Sequence, residues 1–461
     1  MKINLLPCLL LCIANISFAN VRLPAVIADN MILQQQSSAK LWGWCEPEEK
    51  IYITTSWNNR LDSAKGTRDG RWLLTVPTPA AGGPYTIRIK AQNTIGLKGI
   101  LIGEVWVCSG QSNMEMSESW GLPDVKNELP FCTNNNIRFF HIPKTTSPTP
   151  QDDCKAGWSI CDSGELKTFS AVAYFFGKKL NGQMNVPIGL IEAAWGGTAA
   201  EVWTPAELVD GDTALKSAAA LLQPSYSWPH TPGYCYNAMI APITNFTIAG
   251  VLWYQGESNC GTASTYAQLL DTMILSWRKA WQEPLPFYYV QIAPFSYGAA
   301  REHADLLREQ QTAVMNLENT GMVVISDITG DTSNIHPKNK HDVGYRLANW
   351  ALGDHYHQKD IVYRNPAYRS MVIDREKIII TIGDAPAGLL VKGPAAQALF
   401  MAGEDKVFYP AQTKIEGSRL IVSSRQVKQP VAVRYQFSNA GIGNIFSKEG
   451  LPLAPFRTDT W

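Results

Sequence analysis

The sequence predicts an α/β core built on a parallel sheet, with β-rich regions on both sides of it along the chain. Three observations support this prediction. In the central part of the chain, short apolar segments that suit buried strands alternate with longer segments that suit helices. In the flanking parts, short alternating segments are broken by Gly- and Pro-containing turns, which is typical of strands. The length of 461 residues fits about two or three domains rather than one.

The predicted elements can be assigned in order along the chain. Residues 20–98 carry strand candidates such as "KIYITTSW" and "YTIRIKA", separated by "RDG" and "AAGGP", which predict a small β-sandwich or barrel-like domain. Residues 99–355 carry helix candidates such as "TYAQLLDTMILSWRKAW" and the strand candidates "EVWVCS", "PIGLIEAAW", "IAGVLWYQG", "LPFYYVQIA" and "GMVVISD". Residues 356–461 return to strands such as "KIIITIG" and "VAVRYQF". The alternation in the central region predicts helices on both faces of its sheet.

The first nineteen residues, "MKINLLPCLLLCIANISFA", combine a lysine, a short apolar run and a small-residue ending at Ala19. This pattern is typical of a cleaved secretory signal, so we expect an exported protein, either periplasmic or secreted. No later segment is apolar for long enough to span a bilayer, and we expect no membrane insertion. Nothing in the sequence sets an oligomeric state.

The charge composition narrows the class of partner. Lys plus Arg and Asp plus Glu both number 40, so the chain has no basic excess for binding nucleic acid or an anionic membrane. A small molecule or a carbohydrate is the expected partner. Of nine cysteines, Cys8 and Cys12 lie in the predicted signal, and the other seven lack the spacing of a metal site. We therefore expect no metal and no cofactor, and the sequence fixes no disulfide pairing.

Polar clusters follow the predicted strands of the central region at the points where each strand ends. They are "SGQSNM" (109–114), "WGGT" (195–198), "WYQGESN" (253–259) and the later "GDTSNIHPKNK" (330–340). Because the carboxyl ends of parallel strands meet at one edge of a sheet, we expect these clusters to converge. Ser112 is the candidate nucleophile and His336 the candidate base, since acyl transfer needs a hydroxyl and a group that takes its proton near neutral pH.

Each of these assignments has a structural alternative. Ser112 could be a turn residue or a helix cap, and Cys108 is a rival nucleophile. Its position inside "VWVCS" favours a buried, inert thiol. Oxyanion donors could come from Ser112, from the backbone of Gly197, beside Gly196, and from the amides of Gln255 or Asn259. Aromatic side chains that could line a sugar site or fill the core are Trp195, Trp203, Tyr236 and Trp253.

Taken together, the motifs resemble the sialate O-acetylesterase family of SGNH hydrolases, which deacetylate O-acetylated sugars. The resemblance rests on the ordered set "SGQSNM", "WGGTAAEVW", "YNAMIAP", "WYQGESN" and "IHPKNK", and it extends to "LPAVIADNMILQQ" and "GLPLAPFRTDTW" in the flanking regions. It implies a three-layer α/β/α SGNH-type core, with Ser112 as nucleophile, His336 as base, and Gly197 with "QGESN" at the oxyanion hole. Trp195 and Asn237 are further candidates for substrate binding.

One position departs from the family pattern. Many relatives read D-I-H-P at the base, whereas Asn334 stands two residues before His336 in this chain. The acid that orients His336 is therefore predicted at Asp331, with Glu257 as the second candidate. Glu257 could equally brace its own loop by accepting backbone N–H bonds.

The predicted reaction is metal-independent hydrolysis of an O-acetyl ester on a sialic acid or a related sugar, through a serine acyl-enzyme. Two alternatives remain open from the sequence. The same apparatus could remove acetyl groups from xylan or another polysaccharide, because the motifs address the ester and not the sugar. The departure at Asn334 also allows an inactive protein that only binds carbohydrate.

Overall fold

The structure is a computed structural model that describes residues 20–298 and 303–461. The predicted signal segment, residues 1–19, lies outside the described residues. Six strands come first: β1 (Ile32–Gln34), β2 (Ser38–Trp44), β3 (Lys50–Thr55), β4 (Leu61–Lys65), β5 (Arg71–Pro77) and β6 (Gly82–Lys90). β2 and β5 form an antiparallel ribbon, and β3 pairs with both β4 and β6. The N-terminal region is therefore β-rich, as predicted.

One long strand joins this region to the central sheet. β7 (Thr94–Gly110) pairs antiparallel with β6 and parallel with β1 in its first part. From Ile100 onward every residue of β7 is buried, because the strand enters the middle of the central sheet. β7 thus crosses the predicted boundary between residues 98 and 99, and it carries the chain directly to Ser112.

The central sheet adds six strands to β7: β8 (Asn134–His141), β9 (Trp158–Cys161), β10 (Ile188–Ala194), β11 (Gly250–Tyr254), β12 (Phe287–Val290) and β13 (Thr320–Val323). Their order is β13-β12-β11-β7-β10-β8-β9. Every neighbouring pair is parallel except β8 with β9. The predicted parallel sheet is confirmed, with one antiparallel strand at its edge.

Helices cover both faces of this sheet. They are α1 (Ser112–Glu115), α2 (Pro123–Glu128), α3 (Ser163–Leu166), α4 (Ala171–Met184), α5 (Ala206–Asp210), α6 (Thr213–Ala219), α7 (Tyr266–Trp281), α8 (Ala304–Ala313) and α9 (Lys340–Trp350). Alternate residues of β7 enter two hydrophobic clusters, because side chains alternate across a strand. Val105 and Val107 pack in the cluster that contains α7, whereas Trp106 and Cys108 pack in the cluster with α4 and α9. This confirms the three-layer α/β/α core.

The C-terminal region has its own hydrophobic cluster and contains strands β14 (Ala367–Asp374), β15 (Lys377–Gly383), β16 (Leu389–Val391), β17 (Leu399–Gly403), β18 (Phe408–Pro410), β19 (Gln412–Glu416), β20 (Arg419–Ser423), β21 (Pro430–Tyr435), β22 (Ile445–Ser447) and β23 (Phe456–Arg457). It is fastened to the core through α8. The buried Arg308 guanidinium donates to the Gln436 carbonyl at 3.2 Å, and Arg457 forms a two-pronged ion pair with Glu309. No helix among the described residues is both long and apolar enough to cross a membrane.

The end of β7 lies where the order of strand addition in the central sheet reverses. After β7 the chain adds β8, β9 and β10 on one side, and then crosses to add β11, β12 and β13 on the other. The direction of strand addition therefore reverses at β7. Open α/β sheets bind their ligands at such a switch point, outside the carboxyl ends of the strands. Ser112 lies two residues beyond Gly110, the last residue of β7.

Candidate active site

The turn that presents Ser112 depends on a glycine. Gly110 has a φ of +138°, and a Cβ at this position would lie 2.2 Å from the Tyr254 carbonyl oxygen. Neighbouring strand ends hold the turn, because the Trp195 N–H donates to the Gly110 carbonyl and the Gln111 N–H donates to the Tyr254 carbonyl, both at 3.0 Å. The chain then starts α1 at Ser112, so the serine lies at the first position of a helix, where its N–H has no partner within the helix.

Ser112 and His336 are brought together across 224 residues of sequence. The Ser112 Oγ lies 2.9 Å from the His336 Nε2, which is hydrogen-bonding distance. His336 comes from the loop between β13 and α9. Burial of the ring, and then the positive charge of Lys340, lower the pKa of His336. The imidazole is therefore neutral at pH 7 and able to accept the serine proton.

The structure corrects the prediction that Asp331 orients His336. The Asp331 carboxylate is exposed and accepts bonds from the Ser333 N–H at 2.8 Å and the Ser333 hydroxyl at 2.6 Å. Asn334, the residue that departs from the family pattern, accepts the backbone N–H of His336 at 2.9 Å through its Oδ1. In the described residues no carboxylate forms a hydrogen bond with the His336 ring, and Asn334 shapes the loop instead.

The second candidate acid, Glu257, belongs to a buried polar network that we call the brace, formed by Asn113, Glu257 and Lys340. The Asn113 Nδ2 donates to the Glu257 Oε1 at 2.7 Å, and the Lys340 Nζ donates to the Asn113 Oδ1 at 2.6 Å. The Asn113 Nδ2 also lies 3.2 Å from the carbonyl of Ile335, the residue before His336. Asn113 follows Ser112 in sequence, so the brace ties Ser112 and His336 together through their chain neighbours.

The charges of the brace are strongly perturbed. Burial raises the pKa of Glu257, and burial lowers the pKa of Lys340 to about 7. The Lys340 ammonium also lies 5.2 Å from the centre of the Tyr254 ring, and the Glu257 Oε2 has no hydrogen-bond partner. Glu257 therefore acts on the loops through Asn113 rather than on the imidazole directly, which corrects its assignment as the orienting acid.

The glycine pair after β10 packs against the serine. The Gly196 N–H donates to the Glu115 Oε2 at 2.6 Å, and the Glu115 Oε1 pairs with Lys144 at 2.5 Å. Gly197 has a φ of +81°, and its carbonyl accepts the Ser258 hydroxyl at 3.0 Å. The Gly197 N–H makes no hydrogen bond to any described residue, whereas that of Gly196 is occupied. Of the two predicted donors, only Gly197 has an N–H available for an oxyanion.

The predicted side-chain amides donate hydrogen bonds to other groups of the protein. The fully buried Gln255 Nε2 donates to the Thr198 carbonyl and to the Asn259 Oδ1. The Asn259 Nδ2 donates to Glu201, and the Asn237 Nδ2 donates to the Ser147 carbonyl. These bonds commit the Gln255 and Asn259 amides to protein partners, which corrects their assignment as oxyanion donors, whereas the assignment of Asn237 to substrate binding stays a prediction. Trp195 likewise uses its Nε1 to hold the Ser227 carbonyl at 3.0 Å.

Sequence reasoning missed several residues of the site. Gln111 accepts backbone N–H groups through its Oε1, while its Nε2 makes no hydrogen bond within the described residues. Asn113 and Lys340 form the brace, although both stand inside the motifs "SGQSNM" and "IHPKNK". Two exposed indoles lie nearby, Trp120 against the His336 ring and Trp228 against Gly197. Trp203 and Trp253, two of the aromatic residues that could have lined a sugar site, are fully buried in the core.

Cys108 is fully buried on β7, and burial raises the pKa of its thiol well above the ordinary range. Such a thiol is inert. In residues 20–298 and 303–461 no group of three or more His, Cys, Asp or Glu side chains is arranged to hold a metal ion.

Comparisons with known proteins identify the family. Residues 102–353 match the family described as carbohydrate esterase, sialic acid-specific acetylesterase. The chain belongs to this family. It is 28% identical over 383 residues to the sialate O-acetylesterase of Homo sapiens, covering 75% of this chain and 73% of that protein. A sialate O-acetylesterase of Rattus norvegicus is 28% identical over 431 residues, with 78% of each chain covered.

A solved structure extends the likeness to almost the whole chain. A carbohydrate acetylesterase from Xanthomonas citri is 34% identical, with a TM-score of 0.87, and the match covers 96% of this chain and 100% of that one. The SGNH-type fold predicted from the motifs is confirmed by this likeness, and the chain is a carbohydrate esterase. Ser112 and His336 both lie within the residues that match the family.

Proposed function

We propose that this esterase removes O-acetyl groups from sialic acids or related sugars through a serine acyl-enzyme. The observation that carries the proposal is the 2.9 Å contact between the Ser112 Oγ and the His336 Nε2 at the carboxyl end of β7. The sialate O-acetylesterases among its relatives support the choice of substrate. The motifs themselves address only the acetyl ester.

The reaction follows from the groups that surround Ser112. Its oxygen attacks the acetyl carbonyl while the neutral His336 takes the hydroxyl proton. The negative oxygen that forms is held by the N–H groups of Ser112 and Gly197 and by the Gln111 Nε2, donors that make no other hydrogen bond in the described chain. The bond between the acetyl carbon and the sugar oxygen then breaks, and His336 gives the proton to that departing oxygen, which leaves as the sugar hydroxyl. Water repeats the sequence on the acyl-enzyme and releases acetate.

A substrate panel tests the proposal. Acetate release is measured with O-acetylated sialic acids, with acetylated xylo-oligosaccharides and with p-nitrophenyl acetate. We expect the highest kcat/KM on an O-acetylated sialic acid. Cleavage of p-nitrophenyl acetate without cleavage of any acetylated sugar contradicts the proposal, and failure on all three returns the chain to the hypothesis of a binding protein.

A second candidate is deacetylation of xylan or another polysaccharide. It is favoured by the relative from Xanthomonas citri, a carbohydrate acetylesterase whose match covers 96% of this chain. A kcat/KM on acetylated xylo-oligosaccharides well above that on sialic acids would select this candidate. The same serine and histidine perform the reaction in either case.

Export is part of the proposal. Residues 1–19 carry the pattern of a cleaved signal, so the protein is proposed to act outside the cytoplasm, in the periplasm or as a secreted enzyme. N-terminal sequencing of the protein from its native host is expected to start near Asn20. A retained Met1 contradicts this.

A further inference from the structure

Three of the fifteen tryptophans are well exposed, and two of these three lie beside the catalytic pair. The exposed fractions are 44% for Trp120, 40% for Trp228 and 40% for Trp461. Trp461 is the last residue of the chain. An exposed indole leaves apolar surface in water, so two of them at one catalytic centre indicate a surface that is covered when substrate binds.

Trp120 lies against the base. It ends the short helix Glu118–Trp120 that follows α1, and its ring centre is 5.7 Å from the centre of the His336 ring, with 78° between the ring planes. This edge contact leaves nearly half of the indole open to solvent. Trp120 therefore extends an apolar surface outward from His336.

Trp228 lies against the glycine pair. A Cβ on Gly197 would be 2.3 Å from the Trp228 Cδ2, so the indole occupies the space that any side chain at Gly197 would need. Gly196, the next residue, is close to the nucleophile, since its own Cβ would lie 3.2 Å from the Ser112 Cβ. The loop that carries Trp228 is fixed in place by the Trp195 Nε1 bond to the Ser227 carbonyl.

We infer that Trp120 and Trp228 are the two walls of a sugar-binding cleft, and that the pyranose ring carrying the acetyl group stacks on the Trp228 indole. This inference rests on the proposed function. The face of an indole carries negative charge density, and the C–H groups on the face of a sugar ring are weakly positive, so the two surfaces are complementary. A mostly apolar cleft with a few fixed polar groups is also the usual form of a small-molecule site. Tyr226, fully exposed two residues before Trp228, extends this surface.

The test separates sugar binding from ester chemistry. Trp228→Ala and Trp120→Ala are compared with wild type on an O-acetylated sugar and on p-nitrophenyl acetate, which has no sugar ring. We expect each variant to lower kcat/KM for the sugar ester at least about tenfold more than for p-nitrophenyl acetate, mainly through KM. Trp228→Phe keeps an aromatic face and should recover most of the difference. Trp461→Ala, the matched control, leaves both activities unchanged.

Binding is measured independently of turnover in the Ser112→Ala background, by calorimetry with the acetylated sugar. Adding Trp228→Ala to that background is expected to weaken the Kd about tenfold, with thermal unfolding recorded to confirm an intact fold. Equal losses on both esters, or an unchanged Kd, overturn the inference while leaving the proposed function standing. Absence of any turnover of acetylated sugars by the wild type overturns both.

Discussion

The two sides of the catalytic pair are built from opposite kinds of residue. On the buried side, the brace of Asn113, Glu257 and Lys340 consists of buried polar side chains joined by short hydrogen bonds. On the open side, Trp120 and Trp228 are exposed indoles with almost no polar ties. In the proposed function, separate residues therefore hold the reaction geometry and recognise the sugar. Substitutions on the two sides should therefore change different kinetic parameters.

The largest expected effect is at the centre that both sides serve. Ser112→Ala removes the nucleophile and little packing, so turnover should fall on the order of a thousandfold or more on every acetyl ester, with the fold intact. Esterase assays and thermal unfolding measure the two quantities. Ser333→Ala, an exposed serine in the His336 loop, is the control and should stay within about twofold of wild type. If Ser112→Ala keeps a tenth of the wild-type rate, Ser112 is not the nucleophile.

Loss of Asn113, which both other members of the brace contact, should lower kcat. Asn113→Ala leaves the Glu257 Oε1, the Lys340 Nζ and the Ile335 carbonyl without the partner they share. We expect kcat to fall about tenfold to a hundredfold on sugar and non-sugar esters alike, because a small displacement of a catalytic group is costly. Unpaired buried groups should also lower the free energy of unfolding by about 1–3 kcal/mol.

The comparison for Asn113→Ala is Asn135→Ala, an exposed amide on β8. If Asn113→Ala loses activity only on sugar esters, the brace contributes to recognition of the sugar and not to the geometry of the reaction. Denaturant unfolding and the kcat/KM ratio of the two ester classes separate these outcomes.

Lys340 should alter the pH dependence more than the maximal rate. Its positive charge lowers the pKa of His336, and catalysis needs the neutral imidazole. Lys340→Met removes that charge, so the pKa of His336 rises and the acid limb of the kcat/KM profile moves to higher pH. Lys338→Met, an exposed lysine in the same loop, should leave the profile in place. A shift to lower pH, or none, contradicts the electrostatic role.

Much of the fold could be predicted from the sequence because its signals are local. Buried strands such as β7 and β11 are continuous apolar runs, and helices such as α7 repeat their apolar residues with the period of a helix. The position of Ser112 and the four polar clusters follow from the rule that parallel strands end at one edge. What local patterns could not give was β7 as one strand shared by two sheets, since that pairing involves distant segments.

The site was predictable only as far as the pairing of Ser112 with His336. The sequence of a motif does not distinguish a polar residue that binds substrate from one that forms hydrogen bonds within the protein. Gln255 and Asn259 are of the second kind. Lys340 was overlooked because a lysine beside a loop is ordinarily solvated. Trp228 is 116 residues beyond Ser112 and outside every motif, so only the folded loop brings it to Gly197.

The smallest expected effect concerns the residues that sequence reasoning placed nearest the histidine. Asp331 is exposed and bonded to Ser333, so Asp331→Asn should lower turnover by less than about twofold, in contrast to the loss of about ten-thousandfold that an amide causes at the acid of the serine-protease template. Asn334→Asp keeps an oxygen that can accept the His336 N–H, and it should change turnover by less than about tenfold. Both are measured as kcat on p-nitrophenyl acetate, so that sugar binding does not contribute. A hundredfold loss in Asp331→Asn would mean that this carboxylate reaches the imidazole during turnover. A large gain in Asn334→Asp would mean instead that a carboxylate beside His336 stabilises the imidazolium and that the brace does not replace it. The brace would then hold the positions of Ser112 and His336 without supplying that negative charge.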